Sequence, residues 1–356
     1  MRVCYFGTYD PIYTRNRLMI QGLRENGVEV VECQTRQKKN KLKKYWQLIN
    51  QHQKLKSNYD VMIVGFAGHA IMPLAWLLAK LSGKKIILDL FVSEYDSVVL
   101  DRKQVSKFSF KAFKFWLLDW LSCSLADLCL LDADEHINFF IKQFKIRKEK
   151  FKTILLSCDP KIFFPRAKPT SDKFIIHYHG SYSPIQGVSY IVKAAKILER
   201  ENVYFNIIGK LNNHAKEISL AKEIGVTNVN FVDFMPYEKL ADQIALADIC
   251  LGMFGDTDKA MHCSAFKIVE AMAMRKAVVT GDTPALQEII TSGQTGLFCR
   301  MADAKDLADK ILAVKNQLEL KEKIAEGGYQ FYLKNLTPKA TGAELVKIIN
   351  ELITKK

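Results

Sequence analysis

The sequence predicts an α/β protein built from two doubly wound, Rossmann-like domains. Short apolar runs of strand length alternate with periodic helical segments along most of the chain, which implies βαβ units and parallel sheets. The alternation breaks at one proline-bearing polar stretch and then restarts. Length agrees: 356 residues, 49% of them hydrophobic, are enough for two cores. The expected layout is an N-terminal domain over 1–165, a second domain over 166–335, and a helix over 336–356 that crosses back to the first domain. A cleft is expected where the two sheets face each other, because ligands of such sheets bind at the carboxyl ends of the strands.

In the first half, strands are expected at Val3–Gly7, Val28–Cys33, Val61–Gly65, Lys85–Phe91, Leu128–Asp132 and Thr153–Leu156, with helices such as Arg15–Asn26 and Ile71–Ser82 between them. Phe163 to Asp172 holds Pro165, Pro169 and polar neighbours and reads as the linker. Strands then resume at Phe174–Tyr178, Tyr204–Gly209, Val229–Val232, Ile249–Met253, Ala277–Thr280 and Gly296–Cys299. Helices fit at Gly187–Glu201, Asn213–Ile224, Tyr237–Leu246, Phe266–Met274 and Pro284–Thr291. In the last segment Leu345, Ile348, Ile349 and Leu352 share one helical face.

Composition narrows the class. No run of about 20 apolar residues occurs, so no membrane-spanning helix is expected. Met1-Arg2 leads straight into a strand-like run and does not read as a signal peptide. The eight cysteines form no Cys-x-x-Cys pair, and reduced thiols in a cytoplasmic protein are the plain reading. The net charge of +14 is uneven: residues 1–170 carry 29 Lys/Arg against 16 Asp/Glu, and residues 171–356 carry 23 against 22. The first half should therefore face something anionic, unless it is simply a basic solvated surface.

The stretch Leu251–Glu288 is the richest in chemistry. A strand leads into Gly252 to Gly255, a polar loop follows, and a helix begins near Ser264, a candidate N-cap. The start of such a helix favours an anion. Lys267 and Glu270, three residues apart, would share a face: the lysine suits a diphosphate, the carboxylate a ribose diol. By spacing alone a surface ion pair between helix neighbours is the favoured reading.

The surrounding residues decide between these. Glu270-Ala271-Met272-Ala273-Met274-Arg275-Lys276-Ala277-Val278-Val279, followed by Gly281-Asp282-Thr283-Pro284 and by Gly293-Gln294-Thr295-Gly296, resembles the donor signature of the glycosyl transferases group 1, the retaining family 4 glycosyltransferases. The resemblance covers most of the chain and is strongest over 174–300. It implies the GT-B architecture, in which Glu270 binds the donor ribose and the segment His262, Cys263, Ser264, Ala265, Phe266 binds sugar and diphosphate. The chain departs from the pattern at His262, where the family has an acidic residue, and at Ala277, where a proline is usual. A histidine can still bond a hydroxyl.

Three further segments are candidates. At Gly180, Ser181 and Gln186 the family usually places cations for the pyrophosphate; here backbone amides and a hydroxyl would serve. Gly7, Thr8, Arg15 and Arg17 follow the first strand, and cations at a helix start point either to a nearby anion or to solvent-exposed arginines. By resemblance this loop closes on the donor diphosphate and meets the acceptor. Asp89, ending a strongly apolar strand, and Asp96 are the carboxylates expected beside the reacting hydroxyl, Asp89 being preferred.

Asp132-Ala133-Asp134 and Asp256-Thr257-Asp258 match a metal-holding Asp-x-Asp pair, but such triplets arise by chance, and no metal or other cofactor is expected. Lys103–Trp120 interleaves lysines with Phe108, Phe110, Phe113, Phe115 and Trp116, and Lys38–Lys44 adds charge; this suits an anionic membrane surface, or a helix packed by its aromatic side. No nucleic-acid-binding motif is present. The implied function is transfer of a sugar from a UDP- or GDP-sugar to a hydroxyl of a saccharide or lipid-linked acceptor, in the cytoplasm, at the inner face of the membrane. A sugar-nucleotide 2-epimerase and a non-catalytic nucleotide-sugar-binding subunit are the rival readings.

Overall fold

A computed structural model describes residues 1–35, 41–55, 57–169, 172–211 and 215–354. The chain divides into two compact units, Met1–Ser157 with Thr337–Lys356, and Cys158–Leu336.

The first unit runs β1 (Arg2–Gly7), α1 (Thr14–Glu25), β2 (Glu29–Gln34), α2 (Lys41–Lys54), β3 (Val61–Val64), α3 (Met72–Leu81), β4 (Lys85–Asp89), α4 (Phe110–Leu125), β5 (Leu128–Leu131), α5 (Asp134–Phe144) and β6 (Phe151–Thr153). Its sheet is parallel, in the order β2-β1-β3-β4-β5-β6. Strands buried on both faces read as continuous apolar runs, as in Val61-Met62-Ile63-Val64. The edge strand β6 ends at Thr153, where the expected strand began, because its pairing with β5 spans only Phe151 to Thr153.

The second unit runs β7 (Phe174–His179), α6 (Val188–Ile197), β8 (Val203–Ile208), α7 (Ala215–Glu223), β9 (Val229–Val232), α8 (Tyr237–Leu246), β10 (Ile249–Leu251), α9 (Asp258–His262), α10 (Phe266–Ala273), β11 (Ala277–Gly281), α11 (Pro284–Gln287), β12 (Leu297–Cys299), α12 (Ala304–Asn316) and α13 (Leu318–Phe331). Its parallel sheet is ordered β12-β11-β10-β7-β8-β9. The strand order reverses between β7 and β10, and in the first unit between β1 and β3. Such reversals leave a crevice at the carboxyl ends of the strands. Helices α12 and α13 add to the elements read from sequence. Asp303 caps α12 by accepting from the Asp306 amide at 2.9 Å, and Leu307, Ile311 and Val314 bury one face.

The last helix, α14 (Pro338–Thr354), belongs to the first unit. With α1 it covers one face of that sheet: Leu23, Leu345, Ile348 and Ile349 pack on Val3, Tyr5 and Ile63. Helices α2 to α5 cover the other face, where Leu48, Ala75, Cys123 and Phe140 meet Cys4, Phe6 and Met62. Gly22 and Gly342 let α1 and α14 touch, since a Cβ on Gly22 would lie 2.3 Å from the Pro338 carbonyl oxygen. All eight cysteines are buried free thiols. Among the described residues no helix is long and apolar enough to cross a membrane.

Candidate functional site

The second unit gathers buried polar groups where its strand order reverses. Helix α10 starts at Phe266 after Ala265, whose side chain cannot cap it. The N-cap is therefore Ala265 and not Ser264, which lies one residue too early and is half-buried. Ala265 supplies no side-chain cap, and a helix start favours an anion.

Lys267 is the second residue of α10 and is 7% exposed. A cation there is opposed by the helix dipole. Its Nζ donates to Gln186 Oε1 and lies 3.9 Å from the centre of the Tyr178 ring. Tyr178 donates to the same Gln186 oxygen at 3.2 Å and to the Ser181 carbonyl at 3.0 Å. Burial pushes the Lys267 ammonium well below the usual lysine range, and Glu270 only partly opposes this. Gln186 thus holds Lys267 in place. Gly180 is required beside it: its φ is +150°, and a Cβ there would lie 2.8 Å from Lys267 Nζ.

Glu270, one turn on and 1% exposed, bonds His179 Nε2 through Oε2 at 2.7 Å. His179 Nδ1 in turn lies 2.9 Å from His177 Nε2. Both histidines are on β7, two residues apart, so they project to one side of the strand. Burial holds the His177 pKa well below its ordinary value, so it is neutral. Its Nδ1 is buried without a partner. The proton therefore belongs on Nε2, which donates to His179, and His179 donates to Glu270. A cavity of about 390 Å³ adjoins this group, lined by His179, Gly180, Ser181, Lys210, Phe234 and Tyr237 among others. Sequence reasoning missed Tyr178, Lys210, Phe234 and Tyr237, and gave the His177-x-His179 alternation no place in the site.

His262 ends α9 and is buried with Cys263, Ala265 also being buried and Phe266 half-buried. Ser181 Oγ is 3.3 Å from Ser183 Oγ at the mouth of the loop.

In the first unit the carboxylate and arginine singled out from sequence bind each other. Arg15 Nε lies 3.0 and 3.2 Å from the two Asp89 oxygens, and Nη2 lies 2.9 Å from Oδ1. Arg15 Nη1 donates to the Ile154 carbonyl, and the guanidinium lies over the Phe91 ring. Arg15 is 3% exposed and Asp89 0%. Asp89 is thus the buried counter-ion of Arg15. The anion that offsets the helix dipole at Arg15 is this carboxylate. Burial raises the Asp89 pKa, and the contact with Arg15 lowers it in part. Asp96 is likewise fully buried, its amide donating to Ser93 Oγ at 2.9 Å. Gly7 ends β1 and is buried, Thr8 follows it half-buried, and Arg17 is half-buried on α1.

The first Asp-x-Asp triplet has structural partners: Asp132 meets His136 Nδ1 at 2.6 Å, and Asp134 accepts from Thr153. In the second, Asp256 and Asp258 are exposed beside the start of α9. Residues 38–40 of the basic run Lys38–Lys44 lie outside the described residues.

Fold and site together define a protein of two Rossmann-like units whose second unit brings a helix start, a buried lysine and a buried carboxylate to the sheet's switch point. Residues 159–331, a little under half of the chain, match the family model of the glycosyl transferases group 1. It is similar to an alpha-D-kanosaminyltransferase of Streptomyces kanamyceticus, 24% identical over 51% of this chain and 46% of the relative. It is also similar to an uncharacterized glycosyltransferase of Methanocaldococcus jannaschii, 23% identical over 44% of this chain and 42% of the relative. The chain thus spans a little under half the length of the curated relatives it matches. Among solved structures it resembles the Anabaena protein HepE in complex with UDP and glucose, with TM-score 0.74 and 13% identity over 99% of this chain and 100% of the other. It also resembles a sucrose-phosphate synthase of Thermosynechococcus elongatus, with TM-score 0.75 and 15% identity over the full length of both. These likenesses establish the GT-B fold.

Proposed function

We propose that this protein is a glycosyltransferase that moves a sugar from a UDP- or GDP-sugar to a hydroxyl of a lipid-linked or polysaccharide precursor, with retention of configuration. The single observation that carries the reading is the start of α10, where Lys267 and Glu270 are buried together beside a cavity. A donor diphosphate at the start of α10 would offset both the dipole opposed to Lys267 and the desolvation of its ammonium. Glu270, oriented by His179, would accept from the ribose hydroxyls. Neighbours of this fold support a uridine nucleotide as the first choice, since one is a complex with UDP and glucose.

In the reaction the bond from the anomeric carbon to the diphosphate breaks and the bond to the acceptor oxygen forms. The acceptor proton goes to the departing diphosphate, which needs no protein nucleophile. Lys267 and the helix start stabilise the charge that develops on that leaving group. They supply the positive charge a metal would otherwise bring, so we assign no metal. The second unit is the donor side and the first unit the acceptor side, and the protein works at the inner face of the membrane.

The test is incubation with radiolabelled nucleotide sugars and membrane extract, with and without EDTA. Transfer from one donor, insensitive to EDTA and lost in Glu270→Ala but kept in Asp258→Ala, is the expected result. Loss in Asp258→Ala alone would displace the site. Formation of an epimer would identify an epimerase, and saturable binding without turnover a nucleotide-sugar-binding subunit, for which His262 in place of an acidic residue is the argument.

A further inference from the structure

We propose that the outer face of α4 docks this protein on an anionic lipid bilayer. The helix packs Phe115, Trp116 and Leu125 on the core and still leaves a second set of large apolar side chains outside. Its buried residues are Ala112, Asp119, Ser122 and Cys123, small or polar. Its solvent side carries Phe110 at 72% exposure, Phe113 at 52%, Leu117 at 39% and Trp120 at 37%. Spacings of three, four and three residues align these on one stripe. Phe108, immediately before the helix, is 97% exposed. Phe113, Trp116 and Trp120 stack into a ridge, with ring centres 6.3 and 6.2 Å apart.

The orientation is fixed from inside. Asp119 is fully buried and accepts from Ser93 Oγ at 2.6 Å, the Tyr95 amide at 2.9 Å and the Glu94 amide at 3.2 Å. Ser122 Oγ reaches the His69 carbonyl oxygen at 3.1 Å. Rotating α4 to bury its aromatics would break all of these bonds. Ser109 accepts from the Ala112 amide at 3.1 Å and so fixes where the helix starts. The fold therefore holds the aromatic stripe outward.

Charge selects the occupant. Arg102, Lys103, Lys107, Lys111 and Lys114 are all exposed, and no Asp or Glu occurs from residue 102 to residue 118. Lys114 Nζ lies 4.7 Å from the centre of the Phe110 ring, so cation and aromatic occupy the same surface. A second copy docking by this face would bring like charges together. A bilayer accepts the aromatic rings at its interface and the cations at its anionic headgroups. The proposal concerns the first unit alone and fits a lipid-linked acceptor. Because it does not depend on the donor site, vesicle binding and UDP binding can fail separately.

The experiment is flotation of the full-length protein with vesicles of phosphatidylcholine alone or with added phosphatidylglycerol, alongside light scattering and UDP titration of the same samples. Binding is expected only to the anionic vesicles and should weaken as salt rises. Each of Lys103→Gln, Lys107→Gln, Lys111→Gln and Lys114→Gln should lower partition about fivefold. Phe110→Ser with Phe113→Ser should lower it about tenfold while thermal midpoint and UDP affinity stay unchanged. Brominated lipids should quench tryptophan emission in the parent and markedly less in Trp120→Phe. Failure to bind anionic vesicles, equal binding to neutral ones, or binding unaffected by these substitutions overturns the proposal. So does self-association that Phe113→Ser abolishes, which would make this face a protein interface.

Discussion

Each unit buries a cation and a carboxylate near the carboxyl ends of a parallel sheet, beside the start of a helix, yet the two pairs are wired differently. In the first unit Arg15 and Asp89 contact each other through two nitrogens and two oxygens. In the second, Lys267 and Glu270 share one helix but point to different partners: Lys267 to the neutral oxygen of Gln186, Glu270 to His179. The first arrangement is electrically closed and fits a structural role. The second leaves a desolvated cation on a neutral acceptor, the condition that a ligand anion relieves.

The largest expected effect tests the closed pair. Asp89→Asn leaves a buried guanidinium without its counter-charge and should lower stability by about 3–5 kcal/mol in urea titration. Nucleotide affinity of the folded fraction should not change. A variant of parental stability that had lost transfer would break the comparison and return Asp89 to the reaction.

Lys267 gives the next effect. Lys267→Met should weaken UDP binding about ten- to a hundredfold, the range for hydrogen bonds to a charged group, as read by calorimetry. Its effect on stability should be neutral or favourable, because a desolvated ammonium is replaced by an apolar chain of similar length. The pH dependence follows from the lowered pKa. Between the folded and unfolded values the unfolded chain binds more protons, so this group makes stability rise with pH toward the ordinary lysine range. Bound diphosphate raises the folded pKa again, so UDP binding should take up protons. The heat of binding, measured in two buffers of different ionisation enthalpy, should show that uptake in the parent and not in Lys267→Met. Unchanged UDP affinity in this variant would remove the electrostatic basis of the donor site.

What was legible in the sequence follows the distance between partners along the chain. Period-two and near-four-residue patterns are local, so β1 to β5, β7 to β12 and most helices could be read directly. Helix α12 was legible too, through the Asp303 cap and the spacing of Leu307, Ile311 and Val314, but neither it nor α13 was assigned. Lys267 and Glu270 stood out because they sit together in one short motif. Their partners did not: Gln186 lies 81 residues from Lys267, and His179 lies 91 from Glu270. Only the order of the parallel strands brings them together. The same reason hid the Arg15–Asp89 pair, 74 residues apart, and made two mutually satisfied groups look like two open ones.

The smallest expected effect separates a real helix cap from an apparent one, and with it the closed region from the open one. Ser109 caps α4, so Ser109→Ala should cost about 1 kcal/mol. Ser264 lies one residue before the N-cap of α10, so Ser264→Ala removes no N-cap and should cost less than Ser109→Ala. UDP titration of the same variant makes the measurement discriminating. A small stability change with weakened UDP binding would place the Ser264 hydroxyl on the ligand at the start of α10. A loss of stability as large as that of Ser109→Ala would show that the protein satisfies this helix end itself, as it satisfies Arg15, and the contrast between the two units would disappear.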